Sequence, residues 1–158
     1  MNGQAAPLYY VSYGQINFQI PYDTPKGDVV VQVERDGQTG NSVSLQVVEA
    51  APRLLRLGIG EYGIIVNQDG TFPMPPTPGI ASRRARPGDA MVMYAIGLGQ
   101  TTPVSTSGAA APSSPLAQVS PAFTVYIGTG FIGASVPVTP LYVGLTPGFV
   151  GLYQVNFV

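Results

Sequence analysis

The chain has 158 residues, a formal net charge of −1, 45% hydrophobic residues and 9% charged residues. Ordinary globular domains carry about 25% charged residues, so this chain has little helix surface to cover, and it has no run of Lys or Arg that could neutralise a nucleic-acid backbone. It contains no cysteine and no histidine, which excludes disulfides, thiolate chemistry, Ser-His-Asp and Cys-His sites and most zinc sites.

The first strand signals are Tyr9 to Val11 and Gln15 to Ile20. Asp28 to Glu34 reads DVVVQVE and Ser42 to Val48 reads SVSLQVV, with a Gly-containing turn, Arg35 to Asn41, between them. Two β-branched runs around such a turn predict a hairpin. Period-2 alternation places Val29, Val31 and Val33 on one face and Val43, Leu45 and Val47 beside them. Ala50-Ala51-Pro52 then breaks the chain. Tyr62 to Val66 predicts a strand stopped at Asn67-Gln68-Asp69-Gly70, and Phe72 to Arg86, with four prolines and three arginines, reads as a loop. Arg83, Arg84 and Arg86 read as part of that solvated loop rather than as an anion site. Ala90 to Ile96 suits a buried strand or a short helix, and the Gly97-Leu98-Gly99 that follows favours the strand. Gln100 to Pro121 is rich in Ser, Thr, Ala and Pro without periodicity. It is expected to be a long exposed loop, dispensable for folding. Phe123 to Ile127, Ala134 to Val138, Leu141 to Val143 and Leu152 to Val158 complete the strands. Nine or ten short strands without a convincing helix predict an all-β, immunoglobulin-like sandwich.

The chain also repeats itself. Pro7-Leu8-Tyr9-Tyr10-Val11 followed by Gly14-Gln15-Ile16-Asn17-Phe18 matches Pro140-Leu141-Tyr142-Val143 followed by Gly151-Leu152-Tyr153-Gln154-Val155-Asn156-Phe157. The first copy continues into the Val-rich hairpin, while the second stops at Val158. Residues 1–50 therefore read as the late half of one immunoglobulin-like unit, and 51–158 as the early half of a second, neither expected to be stable alone. On that reading the hairpin 28–48 packs beside strand 152–158, in the same chain or in a neighbour. The expected assembly residues are Val29, Val31, Val33, Val43, Leu45, Val47, Tyr153, Val155 and Phe157.

Tyr10-Val11-Ser12-x-Gly14-Gln15-Ile16-Asn17, Ile65-Val66-Asn67-Gln68-Asp69-Gly70, Pro87-Gly88-Asp89, Gly97-Leu98-Gly99, Pro147-Gly148 and Gly151 to Asn156 occur in one order across nearly the whole chain. In these motifs the chain resembles the C-terminal domain of secreted proteins of Solibacter-type bacteria, itself similar to bacterial immunoglobulin-like domains of the IPT/TIG kind. The family usually has Pro where Tyr13 stands, and it continues past the point matched by Val158. The resemblance implies a sandwich, an extracellular or cell-surface setting and no catalytic activity.

Motifs that could carry chemistry have plainer readings beside them. Gly58-Ile59-Gly60-Glu61-Tyr62-Gly63 matches a dinucleotide fingerprint, but no helix follows to hold a pyrophosphate. Asn67-Gln68-Asp69-Gly70 resembles the start of a calcium loop, yet the remaining ligands are missing and a turn fits better. Tyr9, Tyr10, Tyr13 and Tyr22 suit half-buried packing or a sugar-stacking platform. Gln15, Asn17, Gln154 and Asn156 read as an amide row bonding loop backbone at a sandwich corner. The eight carboxylates sit mostly in turns, and their spacing suggests no acid–base pair.

The sequence therefore predicts a non-enzymatic extracellular structural protein without cofactor or metal, whose subunits assemble head to tail into a homopolymer. The alternative is a self-contained adhesion or glycan-binding module. Nucleic acid is not expected as a partner. No apolar stretch approaches the ~18 residues that a membrane-spanning helix needs, and no signal-peptide pattern opens at Met1, so if the protein is secreted this sequence is expected to be a mature form or a fragment.

Overall fold

The computed structural model describes residues 1–58, 61–120, 123–128 and 135–158. Among them there is no helix, so none is long and apolar enough to cross a membrane.

The first segment makes two separate hairpins. β1 (Leu8–Val11) pairs antiparallel with β2 (Ile16–Phe18), and β3 (Gly27–Arg35) pairs with β4 (Gln38–Val47). Asp36 and Gly37 turn the second hairpin, with φ of 53° and 74°. Two consecutive residues at positive φ match the right-handed twist of the flanking strands, which is why Asp-Gly is favoured here. The turn is tighter than the sequence suggests, because Thr39, Gly40 and Asn41 already belong to β4. Val29 lies opposite Leu45 and Val31 opposite Val43, while a bulge between Gln32 and Glu34 takes Val33 out of regular register.

From Arg53 onward the chain builds one large sheet. β5 (Arg53–Leu54) and β6 (Ile65–Asn67) both pair with β7 (Met91–Ile96), so the apolar run after Pro87 is a strand. β8 (Thr101–Thr102), β9 (Gln118–Val119), β12 (Tyr142–Leu145) and β13 (Tyr153–Phe157) complete it, in the order β5-β7-β13-β12-β9-β8. β10 (Val125–Ile127) and β11 (Val136–Val138) form a further hairpin. Ala134, expected to open that last strand, lies outside the described residues.

Register explains the core. Tyr153, Val155 and Phe157 stand opposite Ala95, Met93 and Met91 on β7, and Val143 and Leu145 stand opposite Val155 and Tyr153 on β12. Directly opposed residues share a face, so one face of the sheet is a continuous apolar surface. Phe123, Val125 and Val138, in and beside the β10–β11 hairpin, pack on that core as the second layer. The fold is all-β, an immunoglobulin-like sandwich. The other face carries Gln154 and Asn156 beside Tyr94 and Val92 and is only half-buried.

One expectation changes here. Gln100 to Pro121 is not a free loop over its described part, residues 100–120. It supplies β8 and β9, and Ala111, Ala117 and Val119 are buried. The Ala117 carbonyl accepts a bond from the Leu145 amide at 2.9 Å, and Ala111 exchanges main-chain bonds with Phe149 and Gly148, also at 2.9 Å. Buried positions as irregularly spaced as Ala111, Ala117 and Val119 leave no periodic trace, so composition alone reads the segment as loop. The large sheet is built from strands between residues 53 and 157, and Tyr22 of the first segment packs on its core.

The first segment is tied to the second along one seam. Gly108 donates to the Gln19 side chain at 2.7 Å, the Tyr22 amide to Ser107 Oγ at 2.9 Å, and Gln100 to the Tyr22 carbonyl at 3.0 Å. The Ala51 amide donates to the Gly97 carbonyl at 2.8 Å. Gly97, at φ 75°, lies so close to this linker that a Cβ there would overlap the Ala51 carbonyl oxygen. Both its left-handed backbone and its contact require glycine.

Candidate functional site

The internal repeat is structural as well as sequential. In the first copy Tyr10 pairs with Asn17 and Val11 with Ile16; in the second Tyr142 pairs with Asn156 and Val143 with Val155. The extra tyrosine of the first copy, Tyr9, is absorbed as a bulge. Each copy carries the same side-chain bond along its second strand: Gln15 Nε2 donates to Asn17 Oδ1 at 2.6 Å, and Gln154 Nε2 to Asn156 Oδ1 at 3.2 Å. The amides therefore bond each other rather than loop backbone, as residues two apart on one face of a strand can.

Their surroundings differ. β13 has β7 on one edge and β12 on the other, and β12 also pairs with β9. The β1–β2 hairpin pairs with no further strand among the described residues, and Leu8, Tyr9, Tyr10, Val11 and Tyr13 are exposed. One hairpin is thus built into a sandwich, and its duplicate is left open.

The nine expected assembly residues separate into two groups. Tyr153, Val155 and Phe157 are 4%, 4% and 2% exposed and belong to the chain's own core. They offer no surface to a neighbour, and with both edges of β13 occupied the hairpin 28–48 does not pair beside it; that expectation is corrected. The other six lie on the β3–β4 ribbon. Val29 is buried, Val31 and Val47 are half-buried, and Val33, Val43 and Leu45 are exposed. The ribbon is anchored at its base. Val29 is covered, Lys26 and Glu49 form an exposed ion pair at 2.8 Å, and Asn2 brackets Val30 with bonds of 2.8 and 2.9 Å. Toward the Asp36-Gly37 tip its side chains are in solvent.

A second cluster went unread in the sequence. Arg83 Nε donates to Asp69 Oδ2 at 2.5 Å and its Nη1 to Asp89 Oδ2 at 2.6 Å, while Asp89 also accepts the Arg86 amide at 2.7 Å. Arg83 thereby joins the turn after β6 to the turn before β7. Bonds from Thr71 and Arg83 hold the Asp69 carboxyl well below its usual range, and Arg83 does the same for Asp89. The two arginine-linked aspartates and the Pro-Gly-Asp turn were visible in sequence, but their separation follows no period. The cation beside the Asp69 carboxylate is thus a side chain of the same chain.

Burial raises the phenol pKa of Tyr153, Tyr22 and Tyr142. Tyr153 donates its hydroxyl to the Gly99 carbonyl. Among the described residues no three carboxylates stand close enough together to hold a metal ion. Ile59 and Gly60 of the Gly-rich match lie outside the described residues.

No family model, no curated protein and no solved structure matches the chain.

Proposed function

We propose that the chain is a non-enzymatic structural protein of the cell exterior, a β-sandwich subunit that assembles head to tail. One observation carries the reading. The same hairpin occurs twice, closed into a sandwich at β12–β13 and open at β1–β2, and the open copy leads into the β3–β4 ribbon, which among the described residues pairs with no further strand and exposes Val33, Val43 and Leu45. Unpaired edges and uncovered valines are what a second polypeptide covers. A contact between two different surfaces of one subunit propagates into a filament unless its rotation closes a ring. The extracellular setting rests on the resemblance to the Solibacter-type domain. Light scattering and negative-stain imaging of purified protein test the reading. End-to-end polymers support it, and a compact monomer at every concentration refutes it.

The exposed row Tyr9, Tyr10 and Tyr13 favours a second reading, an adhesion module that stacks sugars on this hairpin. That reading requires glycan binding which Tyr9→Ala abolishes without changing the melting temperature.

A further inference from the structure

We infer that β4 pairs edge to edge, antiparallel, with β4 of a second copy of this chain, forming a four-stranded ribbon about a two-fold axis.

The two edges of the ribbon differ. The β3 edge carries Asp28, Glu34 and Arg35, and Asn2 occupies the main-chain groups of Val30. The β4 edge, Gln38–Val47, has no charged residue and no proline. Among the described residues its strand pairs only with β3, and its one side-chain partner is Gln32, which donates to the Gly40 carbonyl at 2.8 Å. Natural edge strands avoid pairing with charges, prolines or a cover, and β4 has none of these. A charged edge would need a partner of opposite charge. A neutral, alternating one is complementary to itself.

Register selects the axis. Two antiparallel β4 strands centred on Ser44 set Val43 of each copy opposite Leu45 of the other, with Gln46 opposite Ser42 on the reverse face. All apolar residues then fall on one face, continuing the Val29–Leu45 and Val31–Val43 pairs of each hairpin. Seven residues of each strand, Asn41–Val47, then face one another; they span about 24 Å and form about seven main-chain hydrogen bonds, within the range an ordinary protein interface makes. The contact is isologous and closes at two copies. It is thus distinct from the head-to-tail contact and does not depend on it.

The chain contains no cysteine, so a single introduced thiol reports the register. Ser44→Cys is expected to be joined into a covalent dimer by a short thiol-specific crosslinker in most molecules, because opposed Cβ atoms in a sheet lie about 4.5–5.5 Å apart, somewhat wider than a direct disulfide takes. Asp28→Cys on the other edge is expected to stay uncrosslinked. Ser44→Lys and Ser44→Glu each place like charges at the axis, and in sedimentation each is expected to weaken the dimer at least tenfold. Mixing them should restore it. Ser44 is exposed, so both variants should melt as the parent does. A parent that sediments as a monomer at all concentrations overturns the pairing, as does association unchanged by Ser44→Lys. Polymers whose mass per unit length is the same in the parent and in Ser44→Lys overturn this pairing and leave head-to-tail assembly standing. A dimer that never polymerises, and that Ser44→Lys dissociates, upholds the pairing and removes head-to-tail assembly.

Discussion

Replacing Ser105 to Ser114 by a Gly-Ser stretch of the same length measures whether this segment is loop or framework. The exchange removes the Ser107 hydroxyl that accepts the Tyr22 amide, and it replaces Ala111, which is 5% exposed and bonded to Phe149 and Gly148. It also loosens the turn that presents the Gly108 amide to Gln19. A net intramolecular hydrogen bond contributes about 0.5–1.5 kcal/mol, and a buried methyl group about 0.8 kcal/mol. Some bonds re-form on the new backbone, so losing two of them and the methyl costs about 2–4 kcal/mol. In a protein of this size 1 kcal/mol moves Tm by about 2–4 °C, which gives a fall of roughly 4–16 °C. Thermal melting followed by circular dichroism in the β-sheet band reads it directly. A Tm within 2 °C of the parent, with unchanged cooperativity, would refute the reasoning and return the segment to the status of a dispensable loop.

Other perturbations have definite outcomes. Val29→Asp buries a charge at the base of the ribbon and should cost several kcal/mol, whereas Val43→Asp, at a position 56% exposed, should leave Tm unchanged and reduce self-association in light scattering. Gly97→Ala should lower stability by about 1–3 kcal/mol from its left-handed backbone alone, with a further loss from the Ala51 carbonyl, read by denaturant titration. Asp69 and Asp89 have lowered pKa values in the folded chain, so the unfolded state binds their protons first. Their stabilisation is complete above about pH 4 and is lost as pH falls below it; Arg83→Ala should lower Tm at neutral pH and flatten that acid limb. Tyr153, Tyr22 and Tyr142 have raised values, so stability should hold to about pH 10 and fall above it, and Tyr153→Phe should soften that loss while leaving the Gly99 carbonyl without its donor, at about 1–3 kcal/mol.

The parts legible in the sequence are those where one physical signal dominates a whole element. The valine alternation around Asp36-Gly37 fixes the β3–β4 hairpin and its facing pairs, and the apolar run at Ala90 to Ile96 fixes β7. The repeated Gln-Ile/Val-Asn-Phe predicts two equivalent strands, and the shared Gln-to-Asn bond shows how alike they are. The illegible parts depend on partners distant in sequence. Ala117 is 1% exposed because Leu145 and Tyr142 close over its carbonyl, which no local pattern announces. β8 and β9 are two residues each, too short to alternate. Arg83 reads as surface charge until folding brings Asp69 and Asp89 to it. The surroundings of β13 are illegible for a related reason. Tyr153, Val155 and Phe157 look like an edge in search of a neighbour, but β7 lies there, more than fifty residues upstream.

The central claim is that the open hairpin and ribbon make this chain a subunit. Multi-angle light scattering across a hundredfold range of concentration, with negative-stain images of the same samples, tests it most directly. The account predicts a mass that rises with concentration well beyond 16.5 kDa, elongated particles in the images, and loss of both in Val43→Asp. A single species of 16.5 kDa throughout, identical in parent and variant, would contradict it.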